Sequence, residues 1–153
     1  MPRLDPGAFW EFSLAYYSRE PVAAACLSLQ NRRRADVNIL LLCCWLATLK
    51  LTIGEAGLKA AIEAVEDWRH KVLEPLRGVR RNVIDAPMEI AKSERRAIKD
   101  AVLAAELDCE HAAQARIVAV VAGDAEPAAV GTIHSIASNT LETYLGLLAL
   151  DPE

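Results

Sequence analysis

At 153 residues the chain is long enough for one domain, 1–153, with a core of its own. It is 53% hydrophobic and 25% charged, too apolar for a disordered segment, and its net charge of −4 provides no global pull toward nucleic acid or anionic lipid. Alanine, leucine, glutamate and arginine recur throughout, and β-branched runs of period two are missing, so the expected fold class is all-α. Short connections predict a single-domain antiparallel bundle of about six helices around a buried apolar central helix.

The first helix is expected from Pro6 to about Arg19, with Phe9, Trp10, Phe12, Leu14, Tyr16 and Tyr17 crowding one short element. The opening, Met1 to Pro6, lacks the apolar core of an export signal. A second helix begins at Pro21, where proline is best tolerated, and runs through Val22, Ala25, Cys26 and Leu29 to the basic run Arg32-Arg33-Arg34. Asp36 is a natural cap for the third helix, which extends to about Leu51 and includes Trp45. Its stretch from Ile39 to Leu49 is about half the roughly 20 residues of a membrane span and reads as a buried helix, apolar on every side. A soluble cytoplasmic protein is the expectation.

Gly54 and Gly57 mark a joint. In the fourth helix, Leu58, Ile62, Val65, Val72, Leu76, Val79 and Val83 recur at three- and four-residue steps, with a kink expected at Pro75. A break at Asp85-Ala86-Pro87 leads to a fifth helix from about Met88 to Ala122, ended by Gly123. Glu126-Pro127 is expected to open a sixth, with Val130, Ile133, Ala137, Leu141, Tyr144 and Leu148 on one face. The four cysteines, Cys26, Cys43, Cys44 and Cys109, show no C-x-x-C spacing and read as reduced thiols.

Four features carry chemical interest. On a helical wheel Arg69 falls on the side of Ile62, Val65, Val72 and Leu76, where a guanidinium needs a carboxylate partner. A hairpin turning near Ala86 places Arg69 about level with Ala104, within a turn of Glu106. Glu106, Glu110 and Gln114 form a polar stripe among Leu103, Leu107, Ile117 and Val121. This arrangement is either a buried ion-pair network fixing helix register or a ligand site lined by arginine and glutamate.

The pairs Asp67/His70 and Asp108/His111 are both D-x-x-H, but di-iron bundles use Glu-x-x-His with two further inward glutamates. Asp67 and His70 point away from the apolar stripe. No metal site and no cofactor is therefore expected. A basic end of the hairpin gathers Arg77, Arg80 and Arg81 with Lys92, Arg95, Arg96 and Lys99, a patch suited to phosphate, RNA or an acidic protein surface. Without interleaved aromatics it offers no stacking platform, and nucleic acid is not the favoured partner. Finally, five of the eight aromatic residues lie between Phe9 and Tyr17, either as a protein-contact surface or as a wide core contact. P-loop, G-x-G-x-x-G and G-x-S-x-G signatures are absent, which weighs against an enzyme.

An ordered string runs through the first third: Phe9-Trp10-Glu11-Phe12-Ser13-Leu14, then Val22 to Gln30 with Cys26-Leu27-Ser28-Leu29-Gln30, then Asp36-Val37-Asn38-Ile39-Leu40-Leu41. With Trp68-Arg69, Pro75-Leu76-Arg77, Arg80-Arg81, and Glu106-Leu107 with Glu110 and Gln114, it resembles a proteobacterial family of short helical proteins of unknown function. The resemblance implies a bacterial, cytoplasmic helical domain and no activity to transfer. It draws attention to the polar residues beside apolar helices: Gln30, Asp36, Asn38, Arg69, Arg77, Glu106 and Glu110. Asn38, one turn into an apolar helix, needs partners for its amide.

The function read first from the sequence is a non-enzymatic module acting through protein contacts, including self-association as a homo-oligomer. The second is a small-molecule-binding protein or enzyme using Gln30, Asp36, Asn38, Arg69, Arg77, Glu106 and Glu110. The third is anion or RNA binding through Arg77, Arg80, Arg81, Arg95 and Arg96.

Overall fold

The computed structural model describes residues 3–85 and 90–150. The expected break at Ala86-Pro87 and helix start at Met88 lie outside the described residues. Helix α1, Pro6–Tyr17, begins where the Asp5 carboxylate accepts the Gly7 N–H at 3.0 Å and Pro6 occupies the first turn. Helix α2, Glu20–Arg33, carries Pro21 in its first turn and ends at Arg34, whose φ of 56° is the left-handed closing conformation usually given to glycine. Helix α3, Val37–Thr48, is capped by Asp36, whose Oδ1 accepts the N–H groups of Asn38 and Ile39.

After a two-residue strand β1, Leu51–Thr52, the chain enters α4, Glu55–Trp68, a π turn over Arg69–Leu73, and α5, Glu74–Asp85, as one continuous rod. Pro75 accounts for the interruption. It has no N–H to donate and its ring crowds the preceding turn, so the helix widens ahead of it and Glu74 N–H reaches back five residues to the Arg69 carbonyl. The expected kink therefore takes the form of a π turn. Helix α6, Lys92–Val121, returns along both α4 and α5. Strand β2, Glu126–Pro127, and α7, Ile133–Ala149, complete the described chain. With α4, the π turn and α5 taken as one rod, six helical rods pack together, as an all-α bundle should.

Three sequence expectations need correction. Glu126-Pro127 does not open a helix: it pairs antiparallel with Leu51–Thr52, and Ala128 N–H bonds the Lys50 carbonyl at 2.9 Å. A proline suits an edge strand as well as a first helical turn, and here the strand wins. Helix α7 starts at its Thr132 cap, which leaves Val130 fully exposed and gives the inner face to Ile136, Thr140 and Tyr144. Gly57 is not a joint but a buried residue inside α4. A Cβ there would meet the Asp124 Cβ at 3.0 Å, so glycine lets α4 approach the turn after α6. The apolar stripe of the long rod also shifts at the π turn. Leu73 is buried there, while Val79 is 48% exposed.

Helix α3 occupies the centre. Ile39 through Ala47 are buried apart from the half-buried Cys44, and α1, α2, α6 and α7 pack around them. The aromatics of α1 serve this core. Phe9 stacks on Trp45 with ring centroids 5.0 Å apart, Phe12 and Tyr16 stack at 5.1 Å and pack against the cluster, and Trp10 lies on His111 at 4.4 Å. All four cysteines are free thiols, and burial pushes those of Cys26, Cys43 and Cys44 up. Among the described residues no helix is long and apolar enough to cross a membrane.

Trp45 is 4% exposed and holds both a ring partner and the centre of the core. Trp45→Ala is expected to lower unfolding free energy by about 3–5 kcal/mol in chemical denaturation; an unchanged midpoint would show that α3 is not the central packing element.

Candidate functional site

The seven polar residues singled out from the sequence come from five different segments and line one cleft of about 910 Å³. Gln30 comes from the end of α2, Asp36 and Asn38 from the start of α3, Arg69 from the π turn, Arg77 from α5, and Glu106 and Glu110 from α6. The π turn explains how two arginines eight residues apart share a wall. In a regular α-helix they diverge by about 80°; absorbing one extra residue brings the offset to about 20°.

The arginines divide into two kinds. Arg80 makes a two-pronged contact with Glu106, Nε to Oε2 at 2.7 Å and a second nitrogen to Oε1 at 3.2 Å. Arg77 bonds Glu110 Oε1 at 3.0 Å and lies 3.9 Å from Glu106. Glu106 is only 6% exposed, so these contacts satisfy a buried carboxylate. Arg69 does not pair with Glu106, contrary to the sequence expectation. Trp68 Nε1 donates to the Cys109 carbonyl at 3.0 Å, which sets Arg69 more than a turn beyond the level of Ala104. The extra residue of the π turn and a helix start at Lys92 both move the register.

Arg69 itself, half-buried, has its Nε inaccessible to solvent and without a hydrogen-bond partner among the described residues. Asp36 and Tyr144 feel its charge. Burial raises the Asp36 carboxyl above its ordinary value, opposed by the Arg69 guanidinium and then by the N–H groups of Asn38 and Ile39. Burial likewise raises Glu110, opposed by Arg77, and raises the Tyr144 phenol, which therefore keeps its proton.

A hydrogen-bonded network closes the inner end of the cleft. Gln114 Nε2 donates to Ser13 Oγ at 2.9 Å and to Asn38 Oδ1 at 3.0 Å, so the amide that α3 buries finds its partner on α6. The Asp36 N–H donates to the Tyr144 hydroxyl oxygen at 2.8 Å. Tyr144 is 1% exposed, and its own O–H has no acceptor among the described residues. Gln114, also 1% exposed, has a buried Oε1 without a donor. Sequence reasoning placed Gln114 in a stripe and Tyr144 on a buried face but named neither, nor Ser13, as site residues. The available signal was the need of a buried phenol and a buried amide for partners.

The other sequence candidates lie apart from this centre or are engaged. Arg81 lines the cleft from an exposed position, Arg96 is exposed outside it, and Arg95 donates to the Ile84 carbonyl at 3.4 Å. The basic patch is thus split, because Arg77 and Arg80 turn inward to glutamates. Asp67 pairs with Lys71 at 3.0 Å, His70 with Glu74 at 3.1 Å, and His111 stacks on Trp10. The two D-x-x-H segments lie alongside each other, joined by the Trp68–Cys109 bond, but Asp67, His70 and His111 are taken up by other neighbours, and among the described residues no three of His, Cys, Asp and Glu gather as a metal would require.

Removing the two-pronged partner of a buried carboxylate tests this geometry. Arg80→Ala is expected to destabilise the fold by about 2–4 kcal/mol, since Arg77 only partly replaces the lost contact. The double variant with Glu106→Gln should recover much of that loss in a denaturation cycle. Additive losses would mean the two side chains do not interact.

No curated protein and no solved structure matches the chain. Residues 8–117 match the family described as "Protein of unknown function (DUF2390)". That segment runs from α1 to near the end of α6 and includes the seven polar candidates together with Ser13 and Gln114, while Tyr144 lies beyond it. Since the match spans more than half of the 153 residues, the chain belongs to this family of proteins of unknown function.

Proposed function

We propose that the cleft binds a small anionic molecule and that Arg69 is its principal contact. The single observation that carries this reading is the half-buried Arg69 guanidinium, whose Nε is enclosed yet unpaired, beside a cleft of about 910 Å³. A buried donor left without an acceptor costs about 1–3 kcal/mol, more when charged, and a carboxylate or phosphate oxygen meeting the accessible part of the half-buried guanidinium offsets that charge. Arg77 and Arg80 have glutamates; Arg69 has only the more distant Asp36 charge. The Tyr144 hydroxyl is a second donor toward the same cleft. The volume lies within the roughly 300–1,000 Å³ of small-molecule sites.

The sequence placed a protein-contact module first, on the absence of a catalytic signature, the aromatic-rich first helix and the long amphipathic helices that follow. Phe9, Trp10, Phe12 and Tyr16 have ring partners within the fold, so the aromatic helix no longer favours contact over ligand binding. Small-molecule binding in the cleft, second in the sequence reading, moves to first place. Nothing in the site specifies a reaction, and binding is the function proposed.

A thermal-shift series with simple carboxylates and phosphate monoesters tests the reading. Ligand at about 100 times its Kd should stabilise the native protein by about 2.7 kcal/mol. Arg69→Gln removes the charge that eases burial of the Asp36 carboxyl, so it should cost unliganded stability roughly 0.5–3 kcal/mol and, in the still-folded protein, lose the ligand-induced shift. Equal shifts in both proteins, or none in either across the series, would overturn the assignment.

A further inference from the structure

We infer that the anion is amphiphilic, with its charged head at Arg69 and Tyr144 and an apolar portion lying along the leucines of the same cleft. This rests on the cleft being an anion site and adds the class of ligand. Four leucines line the cleft and remain largely exposed: Leu14 at 49%, Leu27 at 48%, Leu103 at 39% and Leu107 at 49%. Exposed leucines scattered singly need no explanation, but four bordering one cavity form an apolar lining that water covers poorly. They come from both sides of the cleft, Leu14 and Leu27 from α1 and α2, Leu103 and Leu107 one turn apart on α6.

The leucines do not all sit at one end: Leu14 adjoins Ser13 at the polar end, whereas the two leucines of α6 lie away from it. Leu107 and Leu103 stand about 10 and 16 Å along α6 from Gln114, which marks the inner, hydrogen-bonded end. At that end the buried Tyr144 O–H is a donor with no acceptor among the described residues, and the half-buried Arg69 guanidinium lines the same cleft; the unpaired Gln114 Oε1, an acceptor, offers an anion nothing. Arg77 and Arg80 are neutralised by Glu110 and Glu106, which alternate with Leu107 and Leu103 along α6, so that stretch offers no second site for a free anion. Arginine planes in such pairs also accept apolar groups against their faces. A ligand with one anionic end and one hydrocarbon end meets each part of this lining with its own chemistry. A compact dianion leaves the leucines uncovered.

Calorimetric titration of the full chain with acetate, hexanoate and decanoate, all below micelle-forming concentration, tests the assignment. Affinity is expected to rise at least about tenfold from hexanoate to decanoate. Leu103→Asn with Leu107→Asn, both at exposed positions and therefore compatible with folding, should abolish that rise. Arg69→Gln should weaken all three acids. If acetate or inorganic phosphate binds as tightly as decanoate, the anion site stands and the amphiphile does not. If no acid binds wild type, the anion site itself falls. Co-sedimentation with phosphatidylglycerol vesicles without decanoate binding would assign the leucines to a membrane surface and overturn a monomeric ligand.

Discussion

A helix that is apolar on every side has to be enclosed, and α3 imposes that requirement on everything around it. Between Asp36 and Leu40 the chain passes from a half-buried cap to a fully buried run. The peptide groups and the Asn38 amide at that transition cannot be left unpaired. Three of the four helices packed around α3 answer with one polar group each. Helix α7 supplies the Tyr144 hydroxyl to the Asp36 N–H, α6 supplies Gln114 to Asn38, and α1 supplies Ser13 to Gln114. The same packing that buries Trp45 and Leu46 thereby fixes a polar end wall at the mouth of α3. The cleft begins there because the apolar helix does.

The long rod then sets what charge faces that wall. Without the π turn, Arg69 and Arg77 would diverge by about 80° on a regular helix instead of sharing one wall of the cleft. Pro75 forces the widening, the widening resets the phase, and two arginines with different partners follow. Arg77 and Arg80 hold the acidic stripe of α6 against α5, a structural role in which neither charge is spare. Arg69 sits one step nearer the polar wall, where Asp36, which feels its charge, already accepts two backbone N–H groups. The ion-pair network that the sequence offered as one alternative is formed by Arg77 and Arg80, and the proposed ligand site draws on a different arginine, Arg69.

Much of this was legible in the chain. Three- and four-residue spacing located the helices, Asp36 and Pro21 marked two starts, and the polar residues beside apolar faces did converge on one cleft. The failures have physical causes. Pro127 fits an edge strand and a helix start equally, and only the pairing of Leu51–Thr52, some 75 residues away, decides between them. A helical wheel assumes constant pitch, so it could not show that burial passes to Leu73 after the π turn or that Arg69 clears Glu106. Ser13 and Tyr144 escaped notice because their polar role depends on contacts across 101 and 108 residues of sequence.

The most direct test of the claim that this cleft is a ligand site is native mass spectrometry of protein purified gently from a bacterial host, wild type beside Arg69→Gln. A mass above the bare chain in the wild type, from one retained organic anion and missing in the variant, is the predicted result. Bare-chain mass for both proteins, unchanged after addition of a tenfold excess of decanoate, would contradict it.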